Sequence, residues 1–168
     1  MKAIVGLCGG DWGGRDVGMD ATAEILDGMG FVVVDLLDPV KRIASSLADW
    51  DGNMDADGLA TLDRVCRSGR QVSEDYWLNS SAANAIYDLA EYKKMPVVVK
   101  NVFFRNEHLF IGTCCGILVK LVSEFGQKFE TDSERVGLDI YSIVGTDTEE
   151  NLKASLSHII SNRWPTGI

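Results

Sequence analysis

The run Gly9-Gly10-Asp11-Trp12-Gly13-Gly14-Arg15-Asp16 constrains this chain more than any other stretch. It follows the apolar segment Ala3-Ile4-Val5-Gly6-Leu7-Cys8 and precedes an amphipathic stretch from Val17 to Met29. Strand, glycine-rich loop and helix in that order let consecutive backbone N–H groups turn inward onto phosphate oxygens, with the positive end of the helix behind them. The pattern G-x-x-x-x-G-K-[ST] is met at Gly9 and Gly14 and altered at its end, where Arg15 stands for the lysine and Asp16 for the hydroxyl residue. Residues Gly9, Gly10, Asp11, Trp12, Gly13, Gly14, Arg15, Asp16 and Val17 are therefore the candidate phosphate-binding set. Trp12 has little core to join in such a loop, which leaves base stacking, a partner contact and plain exposure open for it.

With 168 residues and 46% hydrophobic content, the chain has material for one domain, residues 1–168, with a proper core. No apolar run approaches the ~20 residues of a membrane span, and the start reads as a strand rather than a secretion signal, so a cytoplasmic protein is expected. The four cysteines Cys8, Cys66, Cys114 and Cys115 form no C-x-x-C pair, and they are read as reduced, mostly buried thiols rather than metal ligands or a disulfide framework. Cys114-Cys115 fits a helix-to-strand turn. A net charge of −9 argues against a surface that wraps nucleic acid. A small anion remains compatible, because a few local cations and backbone N–H groups can hold it.

Helical and extended stretches alternate along the chain. Strands are expected at Ala3 to Cys8, Phe31 to Leu37, Pro96 to Val99, Gly116 to Val122 and Ile140 to Val144. Helices are expected at Gly14 to Met29, Pro39 to Ala48, Gly58 to Arg67, Ser73 to Tyr92 and Asn106 to Thr113, with an acidic loop at Asp49 to Asp57. A last helix is expected to start on the capping box Thr146-Asp147-Thr148-Glu149 and run to about Ile160. Five strands separated by helices predict a three-layer α/β fold, a mostly parallel sheet with helices on both faces. Ligands of such sheets sit beyond the carboxyl ends of the strands. The glycine loop, Asp35 to Lys41 and Lys100 to Arg105 all follow strands, so three segments are predicted to meet on one rim.

These residues, taken in order, resemble the bacteriophage deoxynucleoside monophosphate kinases, a family of P-loop nucleotide kinases. Gly6 to Asp16 resembles the opening of that family, whose loop ends Gly-Lys-Asp-Thr. Asp38-Pro39-Val40-Lys41 resembles an Asp-Pro-Leu-Lys segment, and Gly69-Arg70 with Asp75-Tyr76-Trp77 a Gly-Arg-Asp…Asp-x-Trp segment. Asn101-Val102-Phe103-Phe104-Arg105-Asn106-Glu107 stands in the place of Asp-Val-Arg-Phe-Pro-Asn-Glu, followed by a matching strand at Gly116 to Val122 and a Ser133-Glu134 pair. The likeness covers nearly the whole chain.

That resemblance implies transfer of the γ-phosphoryl group of ATP to a deoxynucleoside monophosphate, with Mg²⁺, in a host cytoplasm. It implies a catalytic set of Arg15, Asp16, Arg70 and Arg105, with Arg15 in the lysine role and Asp16 toward the metal. It implies an acceptor site drawn from Asp38, Lys41, Arg67, Arg70 and Trp77, although the helical spacing of Trp77 favours core. Partners are small nucleotides rather than nucleic acid or membrane, with a second copy of the chain or a host protein left open. Several family positions are altered: Val17 for a hydroxyl residue, Asn101 for an acid, Phe103 for Arg, and Thr131 near the position of a His. The alternative is therefore a non-catalytic nucleotide-binding or protein-interaction module that keeps the kinase fold. His108 and His158 are not expected to act as bases.

Overall fold

Val97-Val98-Val99 is apolar without alternation, and burial of all three residues puts it inside a sheet covered on both faces. The computed structural model describes residues 3–9, 17–122, 139–144 and 148–165, apart from the side chains of Val17, Ser81, Val122 and Val144. The described residues form, in order, β1 (Ile4–Gly9), α1 (Val17–Gly28), β2 (Val32–Asp35), α2 (Asp38–Leu47) and α3 (Ala56–Val72). A composite helix follows, with α4 (Ala83–Tyr87) between π-helical turns at Leu78–Ala82 and Asp88–Tyr92. Then come β3 (Val97–Lys100), α5 (Arg105–Thr113), β4 (Ile117–Val122), β5 (Ile140–Val144) and α6 (Glu149–Arg163).

The sheet order is β2-β3-β1-β4-β5, and every pairing is parallel. The three-layer α/β expectation therefore holds, with the sheet wholly parallel. Alternate residues of each strand feed the two faces. Val5, Leu7, Val98, Ile117 and Val119 pack under α1 and α6 through Ala23, Leu26, Leu152 and Leu156. Ile4, Cys8, Val97, Val99 and Leu118 pack under the composite helix and α5 through Ile86, Ala90 and Ile111. Each fully enclosed Leu or Ile contributes ~1.5–3 kcal/mol relative to an exposed one. A third cluster joins Val40 and Ala44 of α2, Leu62 and Cys66 of α3, and Trp77.

Three local expectations change. The helix expected to end at Arg67 runs from Ala56 to Val72, capped by the Asp55 carboxylate, which accepts from Gly58 N–H at 2.9 Å. The long helix expected over 73–92 contains two π turns, where Ala83 N–H reaches Leu78 carbonyl and Lys93 N–H reaches Asp88 carbonyl. These turns let Trp77, Ala82, Ile86 and Ala90 all be buried at spacings an unbroken α-helix would rotate apart. The cap of α6 is Thr148, which accepts from Asn151 N–H at 3.4 Å; Thr146 lies outside the described residues. Cys114 and Cys115 form the expected turn between α5 and β4, and Cys8, Cys66 and Cys114 are buried while Cys115 is exposed. Among the described residues no helix is long and apolar enough to cross a membrane.

Candidate functional site

β1 lies at the centre of the sheet and ends at Gly9, in register with Leu121 of β4. Gly9 has φ +103°, and a Cβ there would lie 2.3 Å from the Leu121 carbonyl oxygen. Backbone meets backbone, so glycine is required. From β1 the chain travels to the β2 edge, whereas from its neighbour β4 it travels to β5. Their connections diverge, which opens a crevice beyond these two strand ends. In sequence the segment 10–16 joins the end of β1 to α1; Gly10, Asp11, Trp12, Gly13, Gly14, Arg15 and Asp16, with the Val17 side chain, lie outside the described residues.

Beside the crevice, the ends of β2 and β3 carry a charged cluster. Asp35, 9% exposed, stands in register with Lys100. One carboxylate oxygen accepts from Leu37 N–H at 2.9 Å and from the Asn101 amide at 2.6 Å. The other accepts from Lys41 at 2.7 Å, with Lys100 at 3.7 Å. Burial alone would raise the Asp35 pKa, but the hydrogen bonds from Lys41 and Asn101, the Lys41 charge and the Leu37 N–H outweigh it and hold the carboxyl below its usual range. Lys100 also bonds Asp20 on the first turn of α1, at 2.5 Å. Burial works against the ammonium of Lys100, yet the Asp20 bond and the charges of Asp35, Asp20 and Asp38 keep its pKa above the ordinary lysine value. Asn101 takes the left-handed φ of +62°, which asparagine tolerates, and its N–H points to Met19 sulfur at 3.3 Å.

A groove of about 840 Å³ runs along α3, lined by Leu59, Cys66, Arg67, Arg70, Gln71 and Phe104 among others. The Arg70 guanidinium lies 3.6 Å over the Phe104 ring and reaches Asn106 Oδ1 at 3.4 Å. Asn106 in turn donates to Glu74 carbonyl at 3.0 Å and Asp75 at 2.9 Å, so it ties α5 to the turn after α3. Glu107 fixes the approach to Phe104, accepting from Phe103 N–H at 2.8 Å and Phe104 N–H at 3.0 Å. Burial raises its carboxyl to about 7, against the opposing pull of those N–H groups and Arg70.

The structure brings Gly9 and Lys41 to the strand-end rim and Arg67 and Arg70 to the groove. Lys41 is held by Asp35, and Arg67, 75% exposed in its side chain, is paired with Asp63 at 2.8 Å. Asp38 is an exposed residue of the first turn of α2, and Arg105 is the exposed first residue of α5. Trp77 is corrected to a core residue: it is 5% exposed, its indole N–H donates to Cys66 carbonyl at 2.7 Å, and it lies flush against Gly69. Its ring is closed to a nucleotide base. His108 is buried as well, and burial pushes the Cys8 thiol up to about 12 against the opposing Lys120 charge, so Cys8 is packed rather than nucleophilic. Sequence reading missed Asp20, Asp35, Lys100, Phe104 and Asn106 as individual site residues. A usable signal existed for Lys100: a lone charge ending the three-valine strand.

Among the described residues, no group of three or more His, Cys, Asp or Glu side chains could hold a metal ion. Among the described residues, the carboxylates that face the Lys100 ammonium at the rim are Asp20 and Asp35, which it already bridges, with the charge of Asp38 nearby. Both Asp35 oxygens are in use, and the strand-end position where the resembling family has an acid carries the amide of Asn101. Among the described residues, this donor set does not fit a divalent cation; Asp16, the residue expected toward the metal, lies outside them.

Fold and rim together define a doubly wound α/β protein with a ligand crevice at the carboxyl edge of a parallel sheet. No protein-family profile and no curated protein matches the chain. Among solved structures, it is similar to shikimate kinase from Aquifex aeolicus, with 15% identity and a TM-score of 0.49 over 98% of this chain and 99% of that one.

Proposed function

We propose that this chain is a nucleotide-binding protein of the P-loop phosphotransferase type, with the phosphates of ATP in the loop 9–17 and a nucleoside monophosphate in the groove along α3. One observation carries the reading. The glycine-rich segment leaves the central strand through Gly9, a residue its contact with Leu121 allows to be nothing else, and enters a helix beside a strand-end rim rich in charge. The ordered resemblance to deoxynucleoside monophosphate kinases supports the donor and the acceptor class. Phosphoryl transfer is mostly positioning and charge stabilisation, so Arg15 at the loop and Arg70 at the groove are its principal agents. Arg70 is already aimed by Phe104 and Asn106, as an anion clamp requires.

Calorimetric titration of ATP and of each deoxynucleoside monophosphate into the purified protein tests this reading, followed by a search for diphosphate product. ATP binding with selective binding of one monophosphate is expected. Binding of neither would overturn it. Binding without product would support the second reading, a non-catalytic nucleotide binder, which the amide of Asn101 at the end of β3 favours.

A further inference from the structure

We infer that the Lys100 ammonium takes the place of a divalent cation at the rim, so that polyphosphate binds this protein without Mg²⁺. The inference rests on the nucleotide reading for its ligand class and on the rim geometry for everything else. A metal in such a site would sit between carboxylates of the protein and oxygens of the phosphate chain. Here the point between the carboxylates of Asp20 and Asp35 is filled by Nζ of Lys100, bonded to Asp20 at 2.5 Å and 3.7 Å from Asp35.

Three elements converge on that atom: α1 through Asp20, the end of β2 through Asp35, and β3 through Lys100 itself. An ammonium has three donors. With Asp20 bonded and Asp35 beyond hydrogen-bond range at 3.7 Å, donor capacity remains for a phosphate oxygen. The side chain keeps 19% of its surface open, so an anion at the rim can reach it. Asp20 lies in the first turn of α1 and so ties Lys100 to the helix that follows the glycine-rich segment in sequence. Asn101 fits the same scheme, because its neutral amide donates to Asp35 where a carboxylate would repel it and call for a metal.

The test is calorimetric binding of ATP and of inorganic tripolyphosphate, each in EDTA and in excess Mg²⁺, to the wild type, Lys100→Met and Asp20→Asn. Wild-type affinity is expected to differ by less than about threefold between the two conditions, whereas Lys100→Met should lose about tenfold or more in EDTA and recover part of it with Mg²⁺. Asp20 is exposed on α1, so Asp20→Asn should fold normally and bind tripolyphosphate more tightly in EDTA by about threefold. A wild type that loses about tenfold in EDTA, a Lys100→Met protein that binds as the wild type does there, or an Asp20→Asn protein with unchanged or weaker affinity would each overturn the inference. Metal-independent binding of tripolyphosphate without ATP would keep the Lys100 assignment and remove the nucleotide reading. Binding of neither anion would overturn both.

Discussion

Gly9 and Leu121 meet backbone to backbone at the carboxyl ends of β1 and β4, with room for a hydrogen and none for a methyl group. Gly9→Ala should therefore destabilise the fold by ~2–3 kcal/mol, from the positive φ and the forced separation of the two strands. Urea unfolding measures that loss. The same variant should weaken ATP binding by about tenfold or more, because the loop leaves from a displaced strand end. Wild-type stability with wild-type affinity would refute the contact.

Asp35 balances Lys41 and Lys100 from a nearly enclosed position. Asp35→Asn leaves those cations without their carboxylate and should cost ~2–4 kcal/mol in urea unfolding. The folded pKa lies below the model-peptide value of 3.8, so the carboxylate's contribution is full above that value and is lost as pH falls through the folded pKa. Wild-type stability should accordingly drop at the acid end below about pH 4, and the Asn variant should show less of that drop.

Arg70 and Arg67 sit one turn apart on α3 and face the same groove with different support. Arg70→Ala should weaken monophosphate binding by about tenfold, since a positioned guanidinium contributes a charge-assisted bond. Arg67→Ala should change it by no more than about twofold, because an exposed, already paired arginine adds little. Equal losses in calorimetry would mean that Phe104 and Asn106 do not select between them.

Glu107 titrates in the opposite sense to Asp35. Its folded pKa of about 7 exceeds the ordinary 4.5, so the folded protein binds the proton more tightly than the unfolded chain does. Stability should fall as pH rises between those two values and level off above about 7, by roughly 3–4 kcal/mol in total. Glu107→Gln keeps an acceptor for Phe103 and Phe104 N–H and should flatten that slope in unfolding curves at pH 5, 6, 7 and 8. A slope that survives in the Gln variant would assign the effect to another group.

Much of the fold was legible because apolar runs and breakers agreed with tertiary packing. Val97-Val98-Val99 read as a buried parallel strand and is one. The β5 boundaries, Ile140 to Val144, agree with the structure. The π turns were not legible, since their cause is the demand that Trp77 meet α3 while Ile86 meets the sheet, contacts made by distant segments. Spacing did mark Gly9, which meets Leu121 backbone to backbone, and Lys41, which the structure brings to the strand ends through Asp35. The site was opaque at Lys100, whose partners Asp20 and Asp35 lie 80 and 65 positions earlier in the chain and meet it only when α1 packs on β3 and β2 pairs with β3.

The two π turns make the length of the segment 78–92 a constraint of its own. Each turn absorbs one residue beyond the α-helical count, so removing that residue restores i→i+4 bonding with the flanking faces nearly in phase, whereas a deletion from the regular stretch 83–85 swings everything downstream by about 100° around the axis. Trp77 and Ile86 could then no longer both face inward. Loss of one residue should therefore be borne far better at either π turn than in the α-helical turn between them.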